Sequence, residues 1–178
     1  MPKARILSRR TLFRGKVFSV TTELVREPNG ITARRDVIHH PGSVVILAVD
    51  HKKRALLERQ FRHAAGKYLW ELPAGRIDTG ESALAAAKRE LREETGYTAR
   101  RWRRLLFYYA SPGFLSETMA VYLAESLTAG RATPEADESI ATRFFPIAPL
   151  VRAAAAGRLE DGKTISAVLA YAARRQRD

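Results

Sequence analysis

Apolar and polar residues alternate along residues 16–26, KVFSVTTELVR, which puts Phe18, Val20 and Leu24 on one face of a strand. An Asn29-Gly30 turn follows and ITARRDVIHH returns, the pattern of a β-hairpin. Two strands alone are marginally stable, so this apolar face has to pack on the rest of the chain or on another copy of it. After Ser43 the run VVILAV is apolar and β-branched, which suits a strand buried on both faces, with RALLERQFR as its hairpin partner across the turn DHKK. In HAAGKYLWELPAG, Trp70 and Leu72 are set to fill the core, Pro73 ends the strand and Gly75 turns the backbone sharply. RRLLFYYAS, TMAVYLAES and SIATRFFPI read as three further strands, the first two flanking the loop PGFLSE and the third following a turn region around Pro134.

The period becomes helical in ESALAAAKRELREET, which starts near Glu81 or Ser82 and stops at Gly96. Two more helices close the chain: APLVRAAAAG, ending at Gly157, and a longer one from Asp161-Gly162 through TISAVLAYAARR. Strands, helix, strands and helices in that order predict an α/β sandwich with a mixed sheet. Residues 1–41 form a small N-terminal antiparallel β unit beside a main domain over 42–178.

The first helix carries charge where an ordinary helix avoids it. With Glu90 at zero on the helical wheel, Glu94 falls at about +40° and Glu93 at about −60°, so three carboxylates share one face. Ala83, Ala86 and Ala87 lie near that face and leave it open, while Leu84 and Leu91 form the stripe expected to meet the core. Like charges at i,i+4 and acids in a last turn are each unfavourable by a few tenths to about 1 kcal/mol. Clustered carboxylates of this kind are the hard oxygen donors a magnesium-type cation uses.

This stretch resembles the Nudix box, with Gly75, Glu81, Arg89, Glu90, Leu91, Glu93, Glu94, Gly96 and Tyr97 all in register. A chance match at this spacing is rarer than about one in a million at ordinary residue frequencies. The resemblance implies a Nudix α/β/α fold and hydrolysis of a nucleoside diphosphate linked to another group, with Mg2+, or Mn2+, as cofactor. It makes Glu90 and Glu94 the leading metal ligands, with Glu93, Glu81 and the carbonyl of Ala74 nearby. By the same resemblance Arg89 is expected to orient the glutamates.

Outside the box, ERQFR followed by WELPAG, the N-terminal hairpin and the loop SPGFLSE with Pro112 and Gly113 are similar to the ADP-ribose pyrophosphatase-like subfamily. That similarity implies ADP-ribose as substrate, split to AMP and ribose 5-phosphate. Glu117 matches an acid that activates water or completes the metal site, and Arg62 an arginine on the diphosphate. The same similarity implies a homodimer with exchanged N-terminal β units in which Arg35 is expected to reach the substrate in the partner's site. ADP-sugars, GDP-mannose, NADH, dinucleoside polyphosphates and flavin dinucleotide are the alternatives within the fold. A nucleotide- or nucleic-acid-binding module without turnover is the alternative outside it.

The 31 basic and 19 acidic residues give a net charge of +12, a field that favours anionic partners. Much of the excess sits in KARILSRR and ARRQR, which read as solvated tails, so specific nucleic-acid binding is not expected. His39 and His40 point to opposite faces of a strand and are read as structural rather than as metal ligands. There is no cysteine, hence neither a disulfide nor cysteine-ligated zinc. No apolar run approaches the ~18 residues of a membrane span and no apolar export segment follows the basic N-terminus, so a cytoplasmic protein is expected.

Overall fold

The computed structural model describes residues 3–134 and 139–175. The chain divides into two compact units: one takes the residues up to Gly42 together with Tyr108–Thr118, the other Ser43–Phe107 with the residues from Met119 onward.

The first unit is a three-stranded antiparallel sheet of β1 (Arg5–Arg14), β2 (Ser19–Arg26) and β3 (Thr32–His39), in that order. The expected hairpin is β2–β3, in register from Ser19↔His39 to Arg26↔Thr32. In its turn the Asn29 side chain accepts from the Ile31 N–H at 3.1 Å. KARILSRR is not a solvated tail; it supplies most of β1, paired along β2 from Arg5↔Arg26 to Arg14↔Ser19. Its arginines hid the alternation, and basic side chains are what an exposed edge strand tolerates. Of ARRQR, Ala173–Arg175 are helical, while Gln176 and Arg177 lie outside the described residues.

The buried side of β2 also differs from expectation. Thr21, Thr22, Glu23 and Val25 are buried, whereas Phe18 is exposed and Val20 and Leu24 are half-buried. The Glu23 carboxylate accepts from Arg9 Nε at 2.7 Å and from the Thr21 hydroxyl at 2.9 Å. Burial pushes its pKa up, but these bonds outweigh it and hold the group below the usual carboxylate range.

The second unit carries β4 (Ser43–Val49), β5 (Arg54–Arg62), β6 (Lys67–Glu71), β7 (Ala74–Arg76), α1 (Ala83–Thr95), most of β8 (Thr98–Tyr109) and β9 (Thr118–Thr128), whose facing ends Tyr108, Tyr109 and Thr118 fall in the first unit, β10 (Ala141–Pro146), α2 (Ile147–Ala155) and α3 (Gly162–Arg175). Its seven-stranded mixed sheet runs β10-β5-β4-β9-β8, with β6 beside β5 and β7 beside β4. β4 is buried throughout beyond Ser43, as its uninterrupted apolar run requires, and pairs in parallel with β9 from Ser43↔Met119 to Val49↔Glu125. The hairpin expected between β4 and β5 pairs only at its turn, Val49↔Ala55. Beyond that point the strands diverge and β7 takes the vacant edge of β4, setting Val44 opposite Gly75 and Val45 opposite Ala74. Leu72 is fully buried, whereas Trp70 is half-buried and packs edge-on against Phe145 at 4.8 Å.

Candidate functional site

The helix α1 begins where Ser82 caps it, the hydroxyl accepting from the Ala85 N–H at 3.2 Å, and ends at Gly96 in the left-handed region at φ 75°. It packs on β4 and β7 through Ala86, Ala87 and Leu91, all fully buried. Leu84, expected in the core stripe, is exposed, and the alanines expected to leave their face open are the contact instead. Small side chains let the helix approach the sheet closely, so Glu94 is buried and Glu90 and Glu93 are half-buried.

Two contacts follow from that closeness. A Cβ built on Gly75 would coincide with the carboxylate of Glu90, so only glycine leaves that side chain its room. Glu94, 5% exposed, accepts from the backbone N–H of Ala74 at 3.2 Å. The end of the helix is pinned as well. The Thr133 N–H donates to the Glu93 carbonyl at 2.8 Å, and Gly96 and Gly130 pack back to back, a Cβ on Gly130 meeting the Gly96 carbonyl at 2.9 Å.

Arg89 gathers the other carboxylates. Its guanidinium donates to Glu81 through Nε at 3.1 Å and Nη2 at 2.9 Å, and through Nη1 to Glu90 at 2.7 Å and Glu93 at 3.3 Å. A further bond reaches the Arg76 carbonyl at 3.0 Å. The bond to Glu93 is thus one contact of several. The Arg89 hydrogen bond chiefly holds Glu81 below its ordinary pKa, and the Glu81 bond chiefly raises that of Arg89.

Among the described residues no three acidic or histidine side chains converge in a geometry that could hold a metal ion, since Glu81, Glu90 and Glu93 turn toward Arg89. The donor chemistry still suits a hard divalent cation: carboxylate oxygens, with the cradle that Gly75 leaves for Glu90.

Arg62 lies at the end of β5 with its guanidinium bound to Glu71 by two bonds, Nε at 2.8 Å and Nη2 at 2.9 Å. The Glu71 bond chiefly raises the Arg62 pKa against the opposing effect of burial, and the charges of Glu71, Glu58 and Glu94 add to it. Glu71 is 1% exposed and also bonds Lys163 of α3. Sequence reasoning passed over Glu71, Lys163 and Glu58. The one local signal was a glutamate at the inward end of an apolar strand, next to Leu72.

The remaining candidates belong to the first unit. Arg35 Nε donates to Glu27 at 3.0 Å. Pro112 and Gly113 occupy a turn closed by the Phe114 and Leu115 N–H groups on the Ser111 carbonyl at 3.3 and 3.0 Å. Glu117 stands 3.6 Å from His40 Nδ1, an atom that accepts from the Gly42 N–H at 3.1 Å. His39 Nε2 is 2.8 Å from the Thr21 hydroxyl.

Residues 39–168 match the NUDIX domain family. The chain is 34% identical over 168 residues to an ADP-ribose pyrophosphatase of Bacillus subtilis, covering 94% of this chain and 89% of that protein. It is 38% identical over 167 residues to an ADP-ribose pyrophosphatase of Mycobacterium tuberculosis, covering 92% and 81%. A solved structure described as an ADP compounds hydrolase has the same fold, with a TM-score of 0.84 and 22% identity over 99% of this chain and 96% of that one.

Proposed function

The chain belongs to the Nudix family, and on that footing we propose that it hydrolyses ADP-ribose to AMP and ribose 5-phosphate with a divalent cation. The observation that carries the reading is the set of four carboxylates gathered beside Gly75 and around Arg89, on a chain similar over nearly its whole length to two ADP-ribose pyrophosphatases.

Glu90 and Glu94 would hold the cation, with Glu93, Glu81 and the Ala74 carbonyl as further ligands; Mg2+ is the proposed ion and Mn2+ its substitute. When bound, such a cation supplies positive charge to a diphosphate and makes water more acidic. The chain's own part is positional. Arg89 keeps Glu81, Glu90 and Glu93 in one cluster, and the Ala74 N–H steers Glu94. Arg62 binds the diphosphate. Water adds to one phosphorus, the bridging P–O bond breaks, and a proton is released. Glu117 as the group receiving that proton, Pro112 and Gly113 as a substrate loop, and Arg35 as a contact from the partner of a homodimer are carried by resemblance alone.

The test is product analysis of the full chain with Mg2+ and ADP-ribose, alongside ADP-sugars, GDP-mannose, NADH and flavin dinucleotide. AMP and ribose 5-phosphate are the expected products. ADP-ribose turning over no faster than the rest would remove the substrate part of the proposal.

A further inference from the structure

Glu71 and Glu58 face each other across β5 and β6, Glu58 fully buried and Glu71 nearly so. Two carboxylates directly opposite on adjacent strands repel, and removing a cation from such a group leaves uncompensated buried charge, which costs far more than the pair gains in forming. Glu71 has two cations. Arg62 grips it with two bonds and keeps 36% of its own side chain exposed. Lys163 bonds the same carboxylate, is 15% exposed, and is tied by a second bond of 2.8 Å to Asp161.

Asp161 in turn fixes the start of α3. Its other oxygen accepts from the Thr164 N–H at 3.0 Å and hydroxyl at 2.6 Å. The Thr164 hydroxyl oxygen accepts from the Leu72 N–H at 2.9 Å, just before Pro73 and Ala74. Lys163 is therefore the fixed cation of the pair and Arg62 the one with an open side. Two of its five guanidinium N–H groups are spent on Glu71, so an Arg62 that turns this edge toward substrate gives up part of its hold, and with Arg62 as sole partner that would orphan a buried charge.

We propose that Lys163 is a positioning residue for substrate: by neutralising Glu71 from α3, it lets Arg62 turn its guanidinium toward a diphosphate. This rests on the reading of the chain as an ADP-ribose hydrolase in which Arg62 meets the diphosphate.

The experiment is a double-mutant cycle on the full chain, Lys163→Met with and without Arg62→Ala, measuring KM and kcat for ADP-ribose with Mg2+ and calorimetric Kd without it. Lys163→Met is expected to raise KM and Kd about tenfold with kcat changed less than about threefold, and to add less than about twofold once Arg62 is gone. Lys163→Arg, which keeps the charge, is expected to restore binding. A folded Lys163→Met with unchanged KM, or the same rise in the Arg62→Ala background, overturns the proposal. Should Lys163→Met not fold, Glu71→Gln/Lys163→Met is compared with Glu71→Gln, where position 71 carries no charge to neutralise. Equal KM values support the proposal and a tenfold difference overturns it. Wild-type protein that neither binds nor turns over ADP-ribose removes the functional reading and this inference with it. Wild-type turnover with an additive cycle removes this inference alone.

Discussion

The Glu90 carboxylate fills the space in which the Cβ of any other residue at position 75 would lie. Gly75→Ala must therefore displace either the carboxylate or β7 from β4. Misplacement of a reacting group by about 1 Å costs on the order of 100-fold in rate, so kcat/KM is expected to fall by about that factor. Circular dichroism should show an unchanged helix content; full activity in Gly75→Ala would separate Glu90 from the chemistry.

Chelation tests the cation. With EDTA, turnover is expected to stop and the fold to persist, because Arg89 bridges Glu81, Glu90 and Glu93 by itself. Mg2+ or Mn2+ should restore the rate. In Glu94→Gln a loss of about 100-fold is expected, read by initial rates across a Mg2+ titration. Undiminished activity in that variant would contradict the assigned metal role.

The parts of the fold that depend on local pattern were legible beforehand. Ser82 and Gly96 bracket α1 as capping chemistry requires, and the apolar run of β4 announced a strand covered on both sides. What failed depended on partners distant in sequence. β1 was hidden because its arginines overwrite the alternation, and only pairing with β2 makes it a strand. The inward face of α1 was misread because alanine carries little burial signal of its own; Ala86 and Ala87 are core residues only because β4 and β7 come close. Arg89 and the glutamates were readable from spacing. Glu71 and Lys163, 92 positions apart, were not, since no local rule links a strand end to a later helix start.

Acid stability should report on that long-range pair. Burial pushes the Glu71 pKa up, but Arg62 and Lys163 outweigh it and hold it below its ordinary value of 4.5. A lowered folded-state pKa means the unfolded chain binds the proton first. The stabilisation is fully present above the unfolded value and is lost as pH falls from there through the lower folded value. Denaturant titrations of the wild type should thus lose stability steadily below about pH 4.5, and Glu71→Gln should lose less over that window. Parallel curves would show that Glu71 does not take part.

Leu91 and Leu84 offer a paired test of the helix orientation. Leu91→Ala empties a fully buried position and is expected to cost about 2–5 kcal/mol, a fall in Tm of roughly 5–15 °C. Leu84 is 36% exposed, and its replacement by alanine should cost under about 1 kcal/mol. Thermal melts of the two variants decide it, and equal losses would refute the assignment of faces.

The first unit leaves Ile6, Leu12, Phe13, Val17 and Phe18 exposed, and these apolar side chains are proposed to meet a second copy of the chain. Light scattering after size exclusion is expected to give a dimer at micromolar concentration. Phe13→Asp with Leu12→Asp should shift it toward monomer, and a wild-type monomer would end the proposal.

The back-to-back packing of Gly96 and Gly130 extends the demands of the acidic helix well beyond its own residues. A survey of tolerated changes confined to positions 75–97 would pass Gly130→Ala as a harmless edit in a distant connection. The added methyl group would press on the peptide that ends α1, and the damage would surface as a defect in chemistry with no altered reactive side chain to explain it.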